Sequence, residues 1–204
     1  MHFLENSVDL RNKRGSVEVI AGSMFSGKTE ELIRRLKRAM IAGLKVEIFK
    51  PALDKRYSDD CVVSHDERSI PSTPVETASM ILLLSGDVDV VGVDEAQFFD
   101  NAIVEVCRVL ADRGIRVVVA GLDMDFAGKP FGPMPEIMAT AEYVTKVHAI
   151  CVECGNLANY SFRLADDDRL VMLGEKELYR PLCRNCYVRI SSDNKDNQGA
   201  DNNS

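Results

Sequence analysis

The stretch GSMFSGKT, residues 22–29, satisfies G-x-x-x-x-G-K-[ST] at every position. It is flanked by a β-rich run, SVEVIAG (16–22), and by a helical pattern, TEELIRRLKRAMIAG (29–43), the strand–loop–helix setting this motif needs. The glycines let the backbone wrap around phosphate oxygens, and the N–H groups opening the helix point at the anion. In that arrangement Lys28 reaches the β and γ phosphates and the Thr29 hydroxyl holds Mg²⁺, with Gly22, Ser23, Met24, Phe25, Ser26 and Gly27 forming the loop.

The remaining pattern is that of an α/β fold. Apolar runs at 45–50, 88–93, 115–122 and 144–152 alternate with helical patterns at 29–43, 77–84, 101–114 and 135–142. Near-continuous apolar strands separated by helices predict a parallel sheet covered on both faces. In the first helix Leu32, Ile33, Leu36, Met40 and Ile41 make an apolar stripe, and Glu30 and Glu31 favour its N-terminal turn. Arg34, Arg35, Lys37 and Arg38 read as a solvated outer face with Glu31–Arg35 pairing. Residues 51–76 hold three prolines and little periodicity, so they are expected to be a long functional loop. The boundaries expected are a loose arm over 1–15, a P-loop domain over 16–149, a cysteine-bearing unit over 150–190 and a disordered polar tail over 191–204.

VVGVDEAQFF, residues 90–99, runs from an apolar strand into Asp94 and Glu95. Strand ends in such sheets converge on the nucleotide, which places Asp94 on Mg²⁺. Glu95 is then placed to accept or orient the proton of the attacking nucleophile, or else to order metal-bound water or pair with an arginine. DEAQ also reads like the box of a nucleic-acid motor, so two classes compete: a helicase-like zinc ATPase acting on nucleic acid, and a kinase acting on a small molecule. A motor commonly needs two such domains and a basic strand-binding surface. This chain has 204 residues and a formal net charge of −7, which gives no overall pull toward phosphate backbones.

Cys151-x₂-Cys154 and Cys183-x₂-Cys186 have the spacing of a four-thiolate structural zinc site. With every coordination position filled, such a zinc pins the ends of 155–182 and is not itself a catalyst. Free thiols or disulfides are the alternative. Cys107 lies on the apolar side of its helix and reads as core, and Cys61 has no reading. No run approaches the roughly 20 apolar residues of a membrane helix, and the N-terminal stretch lacks a signal-peptide core. The expected location is therefore the cytoplasm, with no membrane and no nucleic-acid partner.

Together, GSMFSGKTEEL, LDKRYSDD…SHD, DEAQFF, GLDMDFAGKPFG, CVECG…ANYSFR and YRPLCRNCY, in that order over about 17–190, resemble the thymidine kinases of the tetrameric, zinc-containing type. The resemblance implies a P-loop (RecA-like) parallel sheet flanked by helices with a small C-terminal zinc-binding lasso. It implies transfer of the ATP γ-phosphate to the 5′-hydroxyl of thymidine, in nucleotide salvage for DNA synthesis, with Mg²⁺ accompanying ATP and Zn²⁺ structural. A kinase of another deoxynucleoside is the near alternative. Glu95 takes the role of general base. Asp54 and Arg56 reach Mg²⁺ and the phosphates, and Gln97 lies on the nucleotide side. Phe98, Leu122, Phe126 and Met24 wall the thymidine pocket, while Ser161, Met172, Gly174 and Tyr179 come from the lasso. A homotetramer and feedback inhibition by the thymidine triphosphate are further implications.

The lasso carries ADDDRLVMLGEKEL, whose pocket-facing positions no motif specifies. Phe98, Leu122 and Phe126 also fit core positions, Arg56 a surface ion pair, and Arg163 a structural partner of the lasso.

Overall fold

In the computed structural model the described residues are 15–52, 61–63, 69–164 and 178–201. The expectations for the arm 1–14 and for Asp54, Arg56, Met172 and Gly174 fall outside them.

Strands β1 (Ser16–Gly22), β2 (Val46–Pro51), β5 (Thr73–Val75), β6 (Val90–Val93), β7 (Arg116–Gly121) and β8 (Tyr143–Val147) form a six-stranded sheet in the order β5-β2-β6-β7-β1-β8. Every neighbouring pair runs parallel. A parallel sheet brings all the strand ends to one edge, and consecutive parallel strands need crossovers, which α1 (Lys28–Ile41), α2 (Ser79–Leu84), α3 (Ala102–Asp112) and α4 (Met134–Thr140) supply.

The two-residue period of the strands divides the core. Val17, Val19 and Ala21 join Val91, Val93, Val117 and Val119 on the face covered by Ile103, Val106, Cys107 and Leu110 of α3. Ile20, Ile48, Val90, Val118 and Ala120 face the other way, against Leu32, Ile33, Leu36 and Ala39 of α1. Cys107 is core as expected, and burial pushes its thiol up to about 12. The α1 stripe is shorter than the sequence implies: Met40 and Ile41, in its last turn, are exposed.

Arg35 departs from the solvated face read from the sequence. Its pairing with Glu31 holds at 2.8 Å, but the side chain is buried and bonds also to Glu18 at 2.9 Å and to the Thr145 hydroxyl at 2.9 Å. Glu18 in turn accepts from Arg116 at 2.6 Å, so one buried network ties α1 to β1, β7 and β8. Removing one partner of a buried pair leaves a desolvated charge. Arg35→Ala should therefore lower unfolding stability by about 3 kcal/mol in urea denaturation. A loss below ~1 kcal/mol would show that Arg116 alone satisfies Glu18.

The long loop expected over 51–76 contains short strands. β3 (Cys61–Val63) and β4 (Ser69–Pro71) pair antiparallel, and β5 extends the main sheet by pairing with β2. Sequence periodicity misses β5 because it is three residues long and holds Pro74, which an edge strand tolerates.

Beyond Val147 the chain leaves the sheet, so the run expected as one strand to 152 divides into β8 and β9 (Ala149–Ile150). β9 pairs with β10 (Leu157–Ala158), and β11 (Tyr160–Arg163) pairs with β12 (Tyr179–Leu182), all antiparallel. α5 (Arg184–Asp201) follows. α5 enters the stretch 191–204 expected as a polar tail. Once Cys186, Tyr187 and Ile190 nucleate the helix against the cysteine unit, adding turns costs little even for a polar sequence. No helix among the described residues is long and apolar enough to cross a membrane.

Candidate active site

The phosphate loop leaves β1 at Gly22, where an added Cβ would lie 2.3 Å from the Val147 carbonyl oxygen of β8. Only glycine permits that approach. Ser26 and Lys28 both donate to the Ser23 carbonyl at 2.7 Å, closing the loop on itself. Gly27, at φ 83°, is the N-cap of α1. Lys28 is buried, and burial holds its ammonium below the usual range, opposed by the carboxylates of Glu95, Asp94 and Asp123. A buried cation at a helix start, with its loop already closed, is a receptor for an anion.

Two strands away in the sheet, Asp94 directly follows β6. The side chain is buried, and burial, reinforced by the Glu95 carboxylate, pushes its pKa up to about 7. The Glu95 N–H donates to Asp94 at 3.0 Å and, with Lys28, partly offsets that rise. A desolvated carboxylate in that state suits a cation, which would restore its ionisation. Glu95 is exposed and stands in the left-handed region at φ 53°, ψ 40°. That conformation costs a non-glycine residue of order 1–2 kcal/mol.

β7, between β1 and β6, delivers Leu122 and Asp123 to the same edge. Asp123 is buried; one carboxylate oxygen pairs with Lys146 of β8 at 2.7 Å, and the other has no hydrogen-bond partner among the described residues. Next comes a tight turn in which Asp125 accepts from the N–H groups of Ala127 and Lys129, each at 2.9 Å, holding up Phe126. The Arg163 guanidinium lies 3.6 Å above the Phe126 ring and donates to the Tyr179 hydroxyl at 3.0 Å. Tyr187 donates to the Phe126 carbonyl at 3.1 Å and stacks on Tyr160 at 4.3 Å. Phe98 packs edge-on against Phe131 at 5.5 Å. Met24, Phe98, Leu122, Phe126 and Tyr179 are all half-buried, which separates them from the closed core.

The cysteine unit touches the phosphate loop directly. The Met24 N–H donates to the Ser161 hydroxyl at 2.9 Å, and the Ser23 hydroxyl donates to the Ala158 carbonyl at 3.3 Å. The four sulfurs of Cys151, Cys154, Cys183 and Cys186 lie within 4.8 Å of one another, with Cys154 and Cys183 3.6 Å apart. Four thiolates each about 2.3 Å from one zinc stand about 3.8 Å apart, so this donor set fits a tetrahedral structural ion. All four are free of disulfides. At Cys151 burial disfavours the thiolate, but backbone N–H groups of Cys183, Glu153 and Cys154 outweigh it and bring the pKa to about 6. Gly155, at φ 74°, turns the knuckle, with its N–H donating to the Cys151 carbonyl at 2.9 Å.

A family model described as thymidine kinase matches residues 15–187. The chain belongs to the thymidine kinase family. It is 60% identical over 187 residues to the thymidine kinase of Bacteroides thetaiotaomicron, covering 92% of this chain and 94% of that one. The thymidine kinase of Porphyromonas gingivalis is 63% identical over 189 residues, covering 93% of each chain. That of a Rhodothermus species is 60% identical over 173 residues, covering 85% and 81%.

Against the roles a thymidine kinase implies, the structure brings the loop 22–29, Asp94 and Glu95 to one edge, with Leu122 and Phe126 on the adjoining turn. Two of the expected site residues bond within the protein through their side chains. Ser161 is buried and spends its hydroxyl on the Met24 N–H. Gln97 is buried and bonded to Glu95 and the Leu122 N–H. The sequence motifs do not single out Asp123, Lys146 or Tyr187 as site residues, and offer Arg163 as a structural partner of the lasso. Asp123 had a legible signal, a carboxylate closing an apolar strand just as Asp94 does. The others had none, because their partners lie far away in sequence.

Proposed function

We propose that the chain transfers the γ-phosphate of ATP to the 5′-hydroxyl of thymidine. The observation that carries this is the exposed Glu95, held beside a buried Asp94 and Lys28 at the sheet edge. Such a carboxylate serves an acceptor hydroxyl. The loop 22–29 with Lys28 receives the phosphates, and Asp94 and the Thr29 hydroxyl are the groups that would hold the Mg²⁺ accompanying ATP, with Asp54 and Arg56 assigned to the same side. Bound Mg²⁺ neutralises charge on the phosphates. Glu95 takes the proton of the 5′-hydroxyl as that oxygen bonds to the γ-phosphorus and the bond from the γ-phosphorus to the bridging oxygen of ADP breaks.

The flat faces of thymine need apolar walls and its edge a few polar groups. Met24, Phe98, Leu122 and Phe126 are proposed as walls, and Met172, Gly174 and Tyr179 as the lasso contribution. Zinc on the four cysteines anchors the β11–β12 ladder, which Leu164 and Leu178 extend by a hydrogen bond of 2.8 Å at the lasso base. A closed lasso excludes water, which would otherwise take the phosphoryl group. Assembly as a homotetramer, feedback inhibition by the thymidine triphosphate and cytoplasmic location belong to the same reading; exposed Ile41, Leu83, Ile150 and Leu157 are apolar surface that subunit contacts would cover.

The test is a nucleoside panel with Mg-ATP. Thymidine should give ADP and thymidine monophosphate, with single-stranded DNA or RNA leaving ATP turnover unchanged. Strong polynucleotide stimulation without thymidine turnover would overturn the reading, and preference for another deoxynucleoside would replace the substrate.

A further inference from the structure

Gln97 is an amide with both ends engaged inside the protein. Its Oε1 accepts the Leu122 N–H at 2.9 Å, and its Nε2 donates to Glu95 Oε2 at 2.5 Å. Because a backbone N–H can only donate, the first contact identifies the oxygen end of the amide, and the NH₂ must then face Glu95. The side chain is 3% exposed and has little room to swing. Gly132, at φ 50°, presses on the same residue: an added Cβ there would lie 2.3 Å from the Gln97 carbonyl oxygen. Glu95, by contrast, is exposed and begins its turn in the left-handed region. Lys28 lies close enough for attraction, yet donates to the Ser23 carbonyl at 2.7 Å. In a partly desolvated cleft, a mobile carboxylate and an ammonium tend to pair, and such a pair would withdraw Glu95 from an acceptor hydroxyl and Lys28 from phosphate.

We propose that Gln97 is the positioning residue of the reaction: its NH₂ clamps one oxygen of Glu95 so that the other faces the acceptor hydroxyl, and its carbonyl refers that orientation to Leu122 in the wall of the nucleoside pocket. The amide is a rigid strut between the general base and the surface that seats the nucleoside. A side chain that accepts at one end and donates at the other, at this length, is a glutamine. Glutamate at this position keeps the acceptor for Leu122, loses the donor and adds a like charge beside Glu95. Leucine loses both contacts at similar volume. The proposal rests on Glu95 acting as the base.

Q97E and Q97L are compared with wild type in steady-state kinetics. Both should lose about 30-fold or more in kcat, with the KM for thymidine and for ATP each within about threefold of wild type, since the base is misaimed while ground-state binding persists. In a Glu95→Ala background, Q97L should cost less than about threefold more, because a residue acting through Glu95 has nothing left to position. A tenfold rise in the KM for ATP with kcat retained would assign Gln97 to the nucleotide instead. Wild-type kinetics in Q97E would show that anchoring Leu122 is its whole role. Full additivity in the double variant would also overturn the proposal. A solution measurement keeps it testable if Q97L does not fold. The side-chain NH₂ resonances of Gln97 should shift in Glu95→Ala relative to wild type, and unshifted resonances would overturn the contact. Near-normal kcat in Glu95→Ala alone would remove the base reading while leaving that contact independently measured.

Discussion

Glu95→Gln should lower kcat by about 10²–10³-fold while ATP still binds, the range that a positioned proton acceptor contributes. The substitution keeps the shape and leaves an oxygen for Gln97 to donate to, so the turn 95–98 retains its frame. It removes the capacity to take a proton. It also removes the neighbouring charge that, after burial, raises Asp94 toward about 7. With Glu95 neutral, Asp94 ionises more readily, so affinity for Mg-ATP should stay constant or rise when measured by titration calorimetry. Retention of kcat to within about fivefold would take Glu95 out of the base role. Equal loss of ATP binding would make Glu95 a nucleotide-site group.

Removing the metal should have the second large effect. Native mass spectrometry should find one zinc per chain. Stripping it with a chelator, or Cys186→Ser, should reduce kcat/KM for thymidine by about 100-fold or more, as expected when metal binding and local folding are one event. The physical route is specific. Cys183 and Cys186 belong to the small cluster that also includes Ala158, Leu182 and Tyr187. From that cluster Tyr187 holds the Phe126 carbonyl, the Ala158 carbonyl accepts from Ser23, and neighbouring Ser161 holds the Met24 N–H. Without zinc, the element that supports the pocket wall and the phosphate loop loses its staple. The six-stranded sheet has its own core on both faces, so its far-UV signature should persist. A folded, fully active enzyme free of zinc would discredit the site.

Much of this molecule is legible in one dimension. The strands β1, β2, β6 and β7 fall where apolar runs predict them, because buried parallel strands must be apolar on both faces. Cys107 is core because the apolar face of its helix packs on the sheet. The four cysteines converge as their spacing implies, since a knuckle of two thiolates is a local structure. What failed had physical causes. β5 is too short to show a period and carries a proline, and Arg35 is buried because Glu18 and Thr145 close over it.

The candidate site divides the same way. The phosphate loop, Asp94 and Glu95 could be named from sequence because each closes an apolar strand at the edge where ligands bind. Gln97 and Ser161 could be numbered but not placed. Only the folded chain shows that Gln97 bridges Glu95 to Leu122, 25 residues further on, and that Ser161 is bonded to Met24, 137 positions earlier. Local patterning determines elements and motifs because strand pleat, helix period and loop geometry act over a few residues. The tertiary structure decided which donor meets which acceptor, since a hydrogen bond depends on separation to a few tenths of an ångström and spacing along a chain carries no such information across a fold.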